Sequence, residues 1–397
     1  MNKQVFVWFL RAVLLTAPSS IVTAQEEPKF SWHGYIAQGL TQSIDSDFIT
    51  EDNNITGELS EVGINGHYRL NSNLSVAGQV VYLDAGNRFE KGTRLDYLFV
   101  DWTIPDIAGW QAQVHIGRFK NTHWLYSVTR DVPQTRDTTV LPQSVYFDGF
   151  RDIALGSDGL QAKFKKYSTD NIWEVNWSYG RSPLNDAQRD FFLGDDAQGK
   201  IEQDFVHQAS AFWQPATMAW RVGVSWLESD FEYTAAQEDN RLDGGANIRR
   251  FMFSMQYFSE KWQFSSELVR ELQEYNGLFA PGYVDRITGE GGFVQFRYLF
   301  NNRFSGLIGY DTYVNNSNDP NGEALKISTG GLVPSYFGYM DTVTVGARWD
   351  ISPRWRLQAE HHWVDGAARV VSLLDPSIRD HSQEHWRMWS VQLMYWF

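Results

Sequence analysis

The chain has 397 residues, no cysteine and a formal net charge of −14. The missing cysteines exclude a disulfide framework and thiol chemistry, and the acidic balance argues against a nucleic-acid binder, which would show a basic surface. Aromatic residues are abundant (17 Trp, 18 Tyr and 26 Phe) although the mean hydropathy is only −0.40, a combination that asks where so many rings could be placed.

The first predicted element is a removed leader over residues 1–24. Lys3 gives a short positive region, Val5 to Ser19 are mostly apolar despite Arg11, and Val22-Thr23-Ala24 supplies small residues for cleavage. A short anchoring helix is the bland alternative, but the stretch is too short and Arg11 too central for a bilayer span. No linker or composition break divides residues 25–397, which read as one domain.

Strand-like segments follow near 30–42, 57–71, 74–84, 93–104 and 109–120. After a long gap come 159–167, 171–181, 204–215, 218–233, 246–259 and 262–273. The last five lie near 291–301, 304–315, 338–351, 354–367 and 385–397. Each alternates with period 2, the signature of a strand with two chemically different faces. In 220–226, Trp220, Val222, Val224 and Trp226 share a face, with Arg221, Gly223 and Ser225 opposite. The final segment places Trp389, Val391, Leu393, Tyr395 and Phe397 together. Connections alternate between short polar turns and long Gly/Asp/Asn-rich loops, seven and eight respectively. That is the layout of an all-β, sixteen-stranded antiparallel transmembrane barrel with short periplasmic turns, long extracellular loops and both termini on the short-turn side.

An Arg at the lipid midplane costs about 2–4 kcal/mol, so the polar faces must point inward. A barrel of this size leaves an aqueous lumen. Its wall is expected to carry Arg69, Lys163, Arg221, Arg250, Arg297, Arg348 and Arg356, with Glu61, Glu174, Asp311 and Glu360, giving a wet and slightly basic interior.

The longest connection, about 121–158, follows the fifth strand. A structureless stretch of that length inside a compact domain usually carries function. It is also less polar than a solvated loop: Val140-Leu141 and Val145-Tyr146-Phe147 need a surface, and the inside of the barrel wall is the one available. Here the chain resembles the sixteen-stranded bacterial porins, and among them the phosphate-selective-porin-like group. The resemblance is carried by Gly117-Arg118-Phe119-Lys120, Thr129-Arg130-Asp131-Val132-Pro133, Leu141-Pro142-Gln143-Ser144, the stretch from Phe147-Asp148 to Ser157-Asp158-Gly159, and the terminal Phe397. It implies that the third loop folds inward and narrows a pore, presenting Arg130, Asp131, Arg136, Asp137, Asp148, Arg151 and Asp152, with Arg118 and Lys120 at its root. It also implies insertion signalled by Phe397 to the barrel-insertion machinery, a homotrimer, and an outer-membrane setting among lipid and lipopolysaccharide. Facing charges across a narrow gap would orient polar solutes. The bland alternative is that Arg130–Asp131, Arg136–Asp137 and Arg151–Asp152 pair with one another. The loop carries as many aspartates as basic residues, which predicts mixed rather than phosphate selectivity.

Other chemistry is poorly supported. His381-Ser-Gln-Glu384-His385 spells H-x-x-E-H, a zinc signature only on a helix, and it stands where a loop enters a strand. His361 and His362 are adjacent in a strand and point to opposite faces, His361 outward and His362 inward. Asp45, Asp47, Glu51 and Asp52 in the first long loop, and Glu238 and Asp239 in the fifth, read as solvated surface. No G-x-S-x-G element appears. The expectation is therefore a non-enzymatic porin of the bacterial outer membrane, without cofactor or metal, passing small hydrophilic solutes by passive diffusion. A channel specific for an anion, organic acid or sugar is the alternative, followed by a plugged receptor barrel or a barrel-embedded hydrolase.

Overall fold

The computed structural model describes residues 29–51, 53–194, 196–370 and 381–397; the leader expected over 1–24 lies outside them. Sixteen strands are present: β1 Phe30–Ile44, β2 Ser60–Arg69, β3 Leu74–Asp84, β4 Gly92–Ile107, β5 Trp110–Lys120, β6 Gly156–Tyr167, β7 Asn171–Arg181 and β8 Lys200–Pro215. The second half comprises β9 Trp220–Thr234, β10 Gly244–Phe258, β11 Trp262–Asn276, β12 Val284–Leu299, β13 Phe304–Val314, β14 Tyr339–Ser352, β15 Trp355–Gly366 and β16 His385–Trp396. Each pairs antiparallel with its chain neighbours, and β16 returns to β1, so the sheet closes into a barrel with no edge.

The expected strands all occur, with ends shifted by a few residues. β12 departs most, starting at Val284 rather than near 291. Gly289, Gly291 and Gly292 conceal its alternation; at Gly289 a Cβ would lie 2.0 Å from the Tyr313 hydroxyl oxygen of β13, so that side chain packs against bare backbone.

The outer wall is apolar, with Ile36, Ile64, Ile116, Val224, Leu268 and Ile308 among its exposed residues. Rings gather toward the short-turn end, where Trp262 packs at a tilt against Phe296 at 4.3 Å and Trp220 against Tyr257 at 4.5 Å. Such a belt with an aromatic rim is what a lipid-facing barrel presents.

The interior corrects the expectation of a uniformly aqueous lumen. Arg221, Gly223 and Ser225 face inward as predicted, but the same face of β9 continues as Leu227 and Phe231, both buried. With Ile248, Met252, Val269, Phe293 and Tyr313 they form an apolar inner wall at the long-loop end, packed against Trp124, Tyr126, Tyr146, Phe147 and Phe150 of the third loop. The acids displaced by this inversion, such as Glu228, stand on the outer wall, where Arg249 and Glu228 pair at 3.3 Å. Toward the short-turn end the lumen wall keeps exposed polar groups, including His67, Arg69, Gln111 and Gln113.

Candidate functional site

The third loop, residues 121–155 between β5 and β6, lies inside the barrel with short helices at Gln143–Tyr146 and Arg151–Ala154. Its backbone polar groups must find partners when removed from water, and the wall supplies them. On the β8–β11 side, Gln208 and Ser210 donate to the Thr122 carbonyl at 2.9 and 2.7 Å, and Ser225 donates to the His123 carbonyl at 2.7 Å. Glu267 accepts the Leu125 N–H at 3.0 Å and the Tyr146 hydroxyl proton. Arg250 donates to the Val145 carbonyl at 3.0 Å and pairs with Glu271 at 3.0 Å.

Across the lumen the same kinds of bond recur, with ion pairs to loop side chains added. On the β12–β15 side, Glu360 accepts the N–H groups of Thr139 and Val140 at 2.7 and 2.9 Å, Gln358 donates to the Asp137 carbonyl at 3.1 Å, and Arg297 pairs with Asp137. Arg356 donates to the Gln134 carbonyl, and Asp311 accepts the Ser144 N–H at 3.3 Å. On the β1–β5 side, Arg136 pairs with Glu61 and the Tyr35 hydroxyl donates to the Asp131 carbonyl. Because β1 and β9 lie on opposite sides of the barrel, the loop spans its full width.

Two ion clusters complete the site. Asp131 receives Lys120 at 2.5 Å together with Arg151, and Lys120 also pairs with Asp96. Asp148 receives Arg130 at 2.8 Å and Arg88 at 2.7 Å. Burial alone would raise the Asp131 carboxyl, but the adjacent Arg151 and Lys120 charges hold it well below the usual carboxylate range. Asp148 follows the same pattern: burial opposes its charge, and Arg88 and Arg130 outweigh that effect and lower it.

The structure thus brings Lys120, Arg130, Asp131, Arg136, Asp137, Asp148 and Arg151 into the lumen, all buried. The sequence-adjacent pairing considered for Arg130–Asp131 and Arg136–Asp137 is absent from these contacts; Arg130 and Asp131 meet Asp148 and Lys120 within or at the root of the loop, and Arg136 and Asp137 meet Glu61 and Arg297 of distant strands. Arg118 is a correction. It shares the outer face of β5 with Ile116 and pairs at 2.7 Å with Asp158, beside exposed Leu98 and Leu160, so it does not line the lumen. The Asp152 side chain lies outside the described residues.

Among the wall residues, Arg348 and Arg356 share Asp350 at 3.0 and 2.6 Å, Arg221 stacks on Phe212 at 4.5 Å, Lys163 is half-buried and Arg69 is exposed. Glu174 accepts from Asn176 at 3.1 Å. His362 meets Thr344 at 2.9 Å inside, and His361 packs at a tilt against Trp363 at 4.3 Å outside. Of the H-x-x-E-H residues, His381 stands apart, 3.4 Å from Asp47, whereas Glu384, which accepts from Tyr339, and His385, 3.0 Å from Asp365, gather with Asp365 in an exposed group whose potential ligand atoms lie within 4.8 Å of one another.

Several participants escaped the sequence reading. Asp96 is the extra residue of a β-bulge opposite Gln79 and Val80, which breaks the alternation that would have revealed it. Arg88 and Tyr35 carried no local signal. Glu267 and Glu271 did carry one, because both fall on the inward face of β11.

No family model matches the chain, and no curated protein matches it. Solved structures do. The chain is similar to the outer-membrane expressed OmpT of Vibrio cholerae (11% identity, 94% of this chain and 99% of that one covered, TM-score 0.57). It is similar to the anion-selective porin from Comamonas acidovorans (10% identity, 93% and 99% covered, TM-score 0.55). It is also similar to the outer membrane channel DcaP of Acinetobacter baumannii (10% identity, 93% and 97% covered, TM-score 0.54). Identities this low carry the fold and nothing finer.

Proposed function

We propose that this chain is an outer-membrane porin, a channel for passive diffusion of small hydrophilic solutes and ions, without covalent catalysis. The observation that carries this reading is the charged third loop lodged inside a closed barrel whose outer wall is apolar. A lipid-type exterior requires a bilayer, and a polar, water-accessible short-turn half of the lumen serves no purpose in a solid plug. The porin names of similar structures agree with it. In this reading residues 1–24 are the exported leader, residues 25–397 are the barrel, Phe397 signals insertion, and the barrel assembles as a homotrimer among lipid and lipopolysaccharide.

The constriction is formed by Lys120, Arg130, Asp131, Arg136, Asp137, Asp148, Arg151 and Asp152, with Arg118 now excluded because it faces outward. Since the buried loop charges described above meet opposite charges, the loop presents little net field, which favours mixed selectivity over phosphate selectivity. Purified protein in planar bilayers should give stepwise conductance, and removal of residues 128–152 should enlarge each step. Barrels that insert without any steps would sink the channel reading; unchanged steps in the deletion would sink the constriction.

A further inference from the structure

We propose that solute enters this channel through a window in the side of the barrel between β4 and β5, and that the window favours small zwitterions. The inference rests on the channel reading above. It begins with strand pairing. β4 and β5 are joined from Ile107 and Trp110 up to Leu98 and Arg118, and there the ladder stops. The backbone ladder of residues 92–97 of β4 continues upward with β3 alone, and only side chains cross the fork, Arg118 donating to the Leu95 carbonyl at 3.4 Å and Lys120 pairing with Asp96, while Phe119 and Lys120 continue bonded to β6. The two strands therefore part company at the long-loop end. Gly117 sits at the fork with φ +127°, where a Cβ would lie 2.5 Å from the Leu98 carbonyl oxygen. Only glycine fits that turn of the chain.

The fork is a cavity of about 410 Å³ and not a seam. Its outer lip carries Leu95, Arg118 and Asp158, which face away from the lumen, whereas its floor is the buried cluster of Asp96, Lys120, Asp131 and Arg151. One cavity therefore touches both the outer surface and the ion layer inside. Above it, Asn185 donates to Glu90 at 2.8 Å, a strap that makes the opening a window with a roof. Just below the lip, Leu98 and Ile116 are exposed apolar residues, so the window opens immediately above the lipid-facing belt.

The axial route is occupied instead. Phe48 and Ile49 from the first long loop, Val333 and Phe337 from the seventh, and Ala367, Ala368 and Val370 from the eighth join the third loop in one apolar cluster. A hydrated solute entering along the axis would have to part that packing; a solute entering sideways meets a cavity lined mostly by polar and charged groups.

The charges at the window decide which solute. Five basic and four acidic side chains line it, and the inner ones are locked in ion pairs. A simple anion that displaced Asp131 from Lys120 would leave that buried carboxylate with Arg151 alone, and a simple cation that displaced Lys120 would leave it with Asp96 alone, so either sign by itself costs a buried ion pair. A zwitterion brings both signs and can exchange into the layer while every charge keeps a partner.

The absence of cysteine from the chain makes the test direct. Thr93→Cys puts a thiol in the window, and Leu332→Cys puts one on the seventh loop at a residue 73% exposed. In planar bilayers, a bulky charged thiosulfonate should abolish most of the conductance of Thr93→Cys and leave that of Leu332→Cys unchanged. The opposite pattern overturns lateral entry. In proteoliposome swelling, a neutral amino acid should enter severalfold faster than an uncharged polyol of the same size, and labelled Thr93→Cys should lose that advantage. Equal rates in the unmodified protein overturn the zwitterion preference. A wild type with no conductance at all overturns the channel itself, and that trace is recorded first.

Discussion

Glu271 of β11 is fully buried between two guanidiniums, Arg250 at 3.0 Å and Arg369 at 3.4 Å. Arg369 reaches it from the eighth long loop and lies over the Tyr313 ring at 3.6 Å and the Phe147 ring at 4.3 Å. One carboxylate thus ties the wall, the third loop and the eighth loop together. Removing it leaves two buried cations facing each other, which costs about 3–5 kcal/mol by the usual penalty for breaking a buried pair. Glu271→Ala should lower stability by that amount in denaturant titrations followed by tryptophan fluorescence in micelles; a loss under about 1 kcal/mol would show that water reaches the site. The sequence made part of this legible. Period 2 puts Glu267, Glu271, Arg297 and Glu360 on inward faces, because a charge on the other face would meet lipid. Nothing in a period of two names the partner, and Arg369 lies in a loop, where no periodicity exists.

At the level of elements, the third loop was readable from its length and from apolar residues that had no surface of their own. Its manner of docking was not. The strands display their chemistry by alternation, whereas a loop's contacts depend on where its backbone happens to run. That is why Arg136 meets Glu61, seventy-five residues away in the chain, rather than neighbouring Asp137. The docking has a pH signature. Asp131 and Asp148 are held below the ordinary aspartate range, so each contributes stability that is complete above the unfolded value and disappears as pH falls through the lower, folded one. Channel conductance should then stay level from about pH 7 to about pH 4, the ordinary aspartate value, and grow irregular only below it. Single-channel recordings across that range check the sign: loosening that began near pH 6 would mean that carboxylates other than these two, such as Glu267, Asp311 or Glu360, set the hold on the loop.

The barrel as a whole is closed by one pairing, β1 with β16, and the last residue of the chain lies on it. Tyr35 opposes Trp396, the Gly34 and Phe397 backbones exchange hydrogen bonds at 3.2 and 3.0 Å, and the Phe397 ring packs edge-on against Trp32 at 5.2 Å. The strand count and the joining of first to last were legible because every strand repeats the same constraint and every second connection is short. The window between β4 and β5 was not, since a strand that loses its neighbour for six residues keeps its own alternation. Closure separates two roles that Phe397 could have. If it acts through packing, Phe397→Ala removes a half-buried ring but keeps both backbone bonds, and the folded barrel should lose about 1–2 kcal/mol, part of the value of a fully buried aromatic side chain. If it also acts as the insertion signal, the yield of folded barrel in the membrane should fall much further than that stability loss explains. Comparing the heat-modifiable fraction made in cells with that obtained by refolding in detergent separates the two. A similar modest loss in both would leave Phe397 a packing residue; a large loss confined to cells would make it a residue read by the machinery that inserts the barrel.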